Sequence, residues 1–553
     1  MNRNFLTLSL VAFALTVPAL ATEQTRADAE KDPVLHAMLT ELDRSRDHLQ
    51  LDGFQKPFFI QYRIEDIEDY QTKSDFGASL GDQHRHQRLA RVTVRVGDYK
   101  VDSSTSRGDG SVDLAALDNE PLALRAGLWQ ATDQAYKIAL AAYAHKQAQL
   151  KQVQTPPQQD DFSHETPVVS LEDTVQLHID APSWSKRMSE ASQLYRNESS
   201  VKAGQNDVQY STAIFHARAV NTYLVSSEGA IVRKGITSYE ESFAVGTQAA
   251  DGMHLDRSYG SNGVSISDLD SSEAFNKHAI SLIASLTELR KAPLVEEEYH
   301  GPVLLSADAA SDAIHALVAS AVTAVRPDLG TEARTKGAFA SSYRTRVLPD
   351  FIDVVDDPSL TQFNGKSLVG AYRIDDEGVP AQTVKLIADG RLENYLIGRE
   401  PVRDFPRSNG HGRAALTGPA RPEISVLNVT SHQGLTEEDL NKKLIAIAKD
   451  RGLKSVYYVE TMGPDLTPRL LYRVSINGDS TGKRELVRGA TLDDLDQRAL
   501  RSGVIAAGKE PFVANYDGGV PQTILAPALL FDDVTIRRAN EKNDKLPFYP
   551  PPD

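Results

Sequence analysis

Cysteine is absent from all 553 residues. That excludes a thiol nucleophile, an iron–sulfur cluster, a disulfide framework and any thiolate metal ligand, so a metal site would have to come from the 14 histidines and the carboxylates. Basic residues are in deficit: 60 Lys and Arg stand against 76 Asp and Glu, a formal net charge of −16. A surface of that sign repels nucleic-acid phosphates and anionic headgroups, which argues against a nucleic-acid partner. Long apolar runs are also missing. Only Phe5 to Leu20 approaches one, and Thr7, Ser9, Thr16 and Pro18 interrupt it. That stretch is too short to span a bilayer, follows a short basic start and ends in Ala19-Leu20-Ala21, so residues 1–21 read as a Sec-type signal peptide. The reading implies secretion, with the periplasm as the expected location, and a mature chain with no membrane span. Loss of Arg3 would leave 59 basic against 76 acidic residues, net −17.

What is present suits a soluble globular chain, with 41% hydrophobic and 25% charged residues. Its length exceeds one ordinary core, so two large domains are expected. Leu35, Met38, Leu39 and Leu42 recur at helical spacing behind Asp32-Pro33. PFFIQYRIEDI (57–67) and LARVTVRVGDY (89–99) read as strands, the second with near-strict alternation of Val and polar residues. A long amphipathic helix runs from Pro121 to about Gln149, followed by a polar, Pro-rich surface connection at 153–167. A helix over Ser183–Leu194, strands at 211–229 and 241–252, and a helix over Ser271–Lys291 complete an N-terminal α/β domain, residues 22–292. The boundary falls in the charged segment KAPLVEEEYHG (291–301). Residues 293–545 form a β-rich domain with strands at 367–374, 381–398, 424–429, 455–460, 469–478 and 527–538, one helix capped by Thr436, and a Pro-rich tail at 546–553. The expected fold class is α+β, with a predominantly antiparallel sheet or barrel in the second half.

Three constellations carry candidate chemistry. GASLG (77–81) has the letters of a nucleophile elbow, but charged residues and a strand follow it where a helix is required. In GPVLLSADAASDAIHALV (301–318), a strand runs into a helix on which Asp308, Asp312 and His315 fall at i, i+4 and i+7. Two carboxylates and an imidazole form an alternative metal set, although the plainer expectation is the wet side of an amphipathic helix. The third comprises the acidic turn Asp375-Asp376-Glu377-Gly378 and the Gly-rich loop SNGHGR, with Asn409, His411 and Arg413 as candidate cavity or peptide-binding residues.

The run IDDEGVPAQTVKLIADGRLENYLIGREPVR followed by SNGHGRA resembles the C-terminal signature of the TldD/PmbA family. That family includes proteins described as modulators of DNA gyrase and is also classed with metallopeptidases. VRVGDYKVDSS (94–104), LRAGLWQATDQAYKIAL (124–140), RVLPDFIDVVDDPSL (346–360) and ELVRGATLDDLDQRALRSG (485–503) extend the resemblance to the secreted branch along nearly the whole mature chain. The resemblance implies a two-domain TldD/PmbA-like subunit that dimerises around an internal cavity. In active TldD-type members it implies a helix bearing His-Glu-x-x-x-His, a Cys that completes a zinc site, and trimming of unfolded peptides. PmbA-type, or TldE-like, partners lack the motif. Laid on this chain, the first His falls on Ser306, the Glu on Ala307 and the second His on Ser311, and the Cys has no counterpart.

The expectation is therefore a subunit with no catalytic residues and no metal of its own. It would pair with a zinc-bearing TldD-like paralogue, or with itself, and take a peptide substrate. Asp375, Asp376, Glu377, Asn409, His411 and Arg413 would line the shared cavity. The alternatives are a peptidase with a divergent site, on Asp308, Asp312 and His315 or on the carboxylates near Asp376 and Glu377, and a peptide-binding scaffold. Export would separate the chain from DNA gyrase.

Overall fold

The computed structural model describes residues 24–104, 110–154, 159–197, 208–416 and 418–539; the expected signal peptide and Pro-rich tail lie outside these. Alternating side chains organise the first half. Helix α1 (Pro33–His48) starts at Asp32, whose carboxylate accepts from the Val34 and Leu35 amides. Then come β1 (Phe59–Asp75), β2 (Ala78–Arg95), β3 (Gly110–Leu114), α2 (Pro121–Leu150), β4 (Val169–Leu171) and α3 (Ala181–Ser192). β5 (Val208–Ser226), β6 (Ile231–Gln248), β7 (His254–Gly263) and α4 (Ser272–Lys291) complete the half.

The seven strands order as β3-β2-β1-β5-β6-β4, with β7 also on β6. Only the β4–β6 pair is parallel. On β1, Tyr62 and Ile64 point to one face, and Gln61, Arg63 and Glu65 to the other. The apolar face is covered at one end by α1 and α2, through Leu35, Met38, Leu128 and Tyr136. At the other end α3 and α4 cover it, with Trp184, Met188 and Phe275 around Phe215. These four helices thus lie on one side, and the polar face is left for the second half of the chain.

That half contributes β8 (Tyr299–Leu305), α5 (Ala307–Ile314), β9 (Ile352–Asp356), β10 (Val384–Ala388), β11 (Arg391–Leu392), β12 (Val426–Ser431) and α6 (Glu437–Asp450). β13 (Ser455–Met462), β14 (Pro468–Ser475), β15 (Arg484–Val487), β16 (Ala490–Leu492), α7 (Gln497–Ser502), β17 (Val504–Tyr516) and β18 (Gln522–Arg538) follow. The sheet runs β11-β10-β9-β12-β18-β8-β13-β14-β15, with β16 and β17 also on β18. It is an open mixed sheet and does not close into a barrel, since β12–β18 and β8–β13 are parallel and its two ends do not meet. α5 packs into the larger core on one face, and α6 buries Leu440 and Leu444 on the other.

The strand expected over 367–374 does not form. Only Lys366–Ser367 pairs, with Gln362–Phe363. Beyond it the amides turn to other partners, Gly370 to the Thr523 hydroxyl on β18 and Tyr372 to the Pro358 carbonyl. A β-carbon at Gly370 would lie 2.1 Å from the Ser425 carbonyl oxygen, so the chain passes edge-on through a gap too narrow for a pleated strand.

Candidate functional site

The strand-to-helix junction of the second half is intact, but its polar groups are spent within the fold. The Ser306 amide donates to the Val459 carbonyl, and its hydroxyl donates to the Glu460 carbonyl at 2.6 Å while capping the Ala309 amide. Ala307 offers no side-chain donor. Ser311 is fully buried and its hydroxyl donates to the Ala307 carbonyl at 2.8 Å.

The expected wet face of α5 is not wet. Asp308 and Asp312 are half-buried beneath residues from distant strands. Burial, reinforced by Asp312 and opposed by Arg257, pushes Asp308 up to about 6. Burial also raises Asp312, against the hydrogen bond it accepts from Tyr516 at 2.9 Å and the nearby His315. His315 opens a π-helical turn (His315–Ala319), stacks on Tyr516 with ring centroids 4.1 Å apart and contacts Gln522 Oε1 at 3.0 Å. As a metal set these three do not converge. Among the described residues, the one trio with ligand atoms all within 4.8 Å is Asp353, Asp389 and His432. Lys385 sits 3.2 Å from Asp353 and already neutralises it.

The acidic turn and the SNGHGR loop lock together. Asp375 is buried and accepts from the amides of Glu377, Val379 and Gly412, so it shapes the turn. Burial raises its carboxyl despite those bonds. The Gly-rich SNGHGR loop is packed. Asn409 bridges the Ile397 amide and Tyr395 carbonyl. Both ring nitrogens of His411 face oxygen acceptors: Nδ1 lies 3.0 Å from Asn409 oxygens and Nε2 3.0 Å from Asp356 Oδ1. Arg413 donates to the Ile424 and Pro521 carbonyls and lies over Tyr372. These four side chains hold the fold and do not reach the cleft described next.

Asp376 and Glu377 do reach it. A cleft of about 800 Å³ opens between the polar face of the first sheet and the second half. Lys234 on β6 holds Asp376 at 2.7 Å, and Gln61 donates to the Asp376 carbonyl. Burial works against ionising Asp376, but Lys234 and Arg63 outweigh it and keep the carboxyl below its usual range. Glu377 accepts from the Arg399 amide at 2.6 Å; burial and the neighbouring Asp375 raise its carboxyl against the pull of Arg399. Glu65, buried against Arg63 and Thr222, is pushed by burial up to about 7.

Deeper in the wall, Asp102 binds Arg95 and Lys146, Glu228 takes both Nη atoms of Arg399, and Arg95 and Arg399 stack on Phe162 at 4.3 and 3.9 Å. Apart from the acidic turn, the sequence reading named none of these groups. The signal was present: Gln61 and Arg63 on β1, and Arg91, Thr93 and Arg95 on β2, are polar positions of two alternating strands and line the cleft, with Glu65 behind Arg63.

These features define a two-part α+β chain, with two open sheets apposed across a charged cleft and a strand-to-helix junction occupied by small residues. Residues 297–538 match the family described as the PmbA/TldA metallopeptidase C-terminal domain. The second half of the chain therefore carries a C-terminal domain of the TldD/PmbA family. The fold of the whole chain is similar to the crystal structure of a candidate modulator of a DNA gyrase from Thermotoga maritima MSB8, with TM-score 0.58 and 12% identity over 91% of this chain and 99% of that one. It is similar to TldE from Thermococcus kodakarensis, with TM-score 0.58 and 12% identity over 90% and 99%. A candidate modulator of DNA gyrase from Bacteroides thetaiotaomicron VPI-5482 gives 0.54 and 12% over 90% and 98%. No curated protein matches the chain in sequence.

Zinc, which the resemblance implies for TldD-type members, does not fit the residues present here. Ser306 and Ser311 are neutral hydroxyls committed to backbone carbonyls, Ala307 supplies nothing, and no thiolate exists in the chain.

Proposed function

We propose that this chain is the zinc-less, TldE-like subunit of a periplasmic peptidase pair, handling unfolded peptides beside a zinc-bearing paralogue. The observation that supports the reading is the state of the three motif positions. A recently idle metal site would leave polar groups facing an opening, whereas Ser306 caps α5 and Ser311 is sealed in its packing. The junction thus serves as scaffold, and hydrolysis would fall to a partner that keeps His-Glu-x-x-x-His. The test is to purify the mature chain alone and together with such a paralogue, then measure zinc content and cleavage of an unfolded protein. The expected result is no stoichiometric zinc and no cleavage by the chain alone, and cleavage by the pair above that of the paralogue alone. Zinc-dependent hydrolysis by the isolated chain would overturn the proposal. One observation favours a second reading, a carboxylate peptidase: the raised Asp308 beside Asp312. That reading requires Asp308→Asn to abolish hydrolysis by the isolated chain.

A further inference from the structure

The cleft between the two sheets is an electropositive place in an acidic protein. Eight of its lining residues are Lys or Arg and five are Asp or Glu, whereas the whole chain carries a net charge of −16. Behind the wall, Glu65, Asp102 and Glu228 are tied to Arg63, Arg95 and Arg399. Two carboxyls of the region are raised, Glu65 and Glu377, so cations prevail near neutral pH. The Nε–H groups of Arg63 and Arg399 are buried and find no hydrogen-bond acceptor among the described residues, although Glu65 lies 3.1 Å from the former as an ion partner. Glu377 uses Oε2 for the Arg399 amide, and its Oε1 has no partner among the described residues. Beside these groups the wall is apolar, with Phe59, Phe162, Ile138, Val325, Leu329 and Pro419.

We infer that this cleft holds the C-terminal carboxylate of a short peptide, with Arg63 and Arg399 facing the carboxylate, the Glu377 carboxyl donating a hydrogen bond to it, and the apolar wall taking the last side chain. The inference rests on the peptide-handling reading above and gives it a site. A monoanion suits the cleft better than a phosphate does, because Asp376 and Glu400 also face it and would repel a second negative charge. Charge-assisted bonds from guanidinium to carboxylate are the strong ones available here. Glu377 can donate only while protonated. The groups facing it are Asp375, which raises its carboxyl, and Arg399 and Arg95, which lower it.

The experiment is calorimetric titration of the isolated mature chain with N-acetyl-Ala-Ala-Phe, its C-terminal amide, and succinate as a free dicarboxylate. The acid is expected to bind at least about tenfold more tightly than the amide, and than succinate. Its affinity should fall several-fold from pH 6 to 9. Glu377→Gln should weaken binding a few-fold at pH 6 yet flatten that pH dependence, because an amide donates at every pH. Equal binding of acid and amide would overturn the carboxylate contact while leaving peptide handling in place. Succinate binding as tightly as the peptide would overturn a peptide as the source, and no binding of any probe would overturn the site. None of these results bears on pairing with a zinc-bearing paralogue, which reconstitution tests separately.

Discussion

Gly412 has no side chain, and the space where one would begin is taken by Glu377. A β-carbon there would lie 2.0 Å from Glu377 Oε2, and one at Gly398 would lie 2.6 Å from the same atom. Two glycines therefore form the slot that brings this carboxyl to the Arg399 amide. Gly412→Ala should cost about 1–3 kcal/mol, read as a lower denaturation midpoint, because a held carboxyl must swing out of its slot. The same change made in a Glu377→Ala background should cost much less, and equal costs in both backgrounds would show that Glu377 is not the obstacle. His411 is a second residue whose value lies in what it leaves behind. It is fully buried against Asp356, which otherwise has the Ser425 amide and hydroxyl. His411→Ala should destabilise by roughly 3–5 kcal/mol, since a buried carboxylate loses its imidazole partner. A loss below 1 kcal/mol in chemical denaturation would show that water or another group replaces the imidazole.

At the scale of elements, α5 is held by its packing. Ser311 sits in the helix face that packs into the core with Ala310, Ala313 and Ile314, so a larger group there has no room. Restoring the motif letters by Ser306→His, Ala307→Glu and Ser311→His should therefore fail to recruit stoichiometric zinc. It should also destabilise by at least about 1–3 kcal/mol from overpacking at position 311, with metal analysis and thermal unfolding as the measurements. The same helix marks the limit of reading elements from periodicity. Spacing put Asp308, Asp312 and His315 on one face of the helix, but exposure depends on what lies above. Arg257 comes from β7 and Tyr516 from the end of β17, both remote in the chain. Strands with strict alternation, such as β2, were legible, as were helices with caps such as Asp32, Ser271 and Thr436. β7 and β17 were not, because their glycines, prolines and polar residues break the pattern while neighbouring strands supply the pairing. The acidic turn was legible as a feature and not as a contact. Its partners Lys234 and Gln61 lie well over a hundred residues away, on a sheet whose polar face reads like solvent exposure until a second domain covers it.

Across the whole molecule, the two halves meet through ionisable groups, and this fixes how stability must depend on pH. Burial raises Glu65 to about 7, and Glu241, buried against Arg187, to about 8. Asp375 and Glu377 shift in the same direction. An acid whose folded pKa exceeds its unfolded value keeps its proton in the folded chain after the unfolded chain has lost it. The folded state then binds more protons, and stability falls as pH rises through the window between the two values. For these groups the full contribution is present below about pH 4.5 and is lost as pH climbs toward 8. Asp102 works the other way. Burial opposes its charge, but Arg95 and Lys146 prevail, and the stability it contributes is lost as pH falls below the usual carboxylate range. The two trends together place the maximum on the acid side of neutrality, at about pH 4.5. The thermal midpoint should drop by about 3–6 °C between pH 5.5 and 9 at constant ionic strength. Glu65→Gln should reduce that slope, because an amide can still accept the Thr222 hydroxyl and has no proton to lose. A midpoint that rises steadily across this range would mean that Glu65 and Glu241 ionise freely in the folded chain.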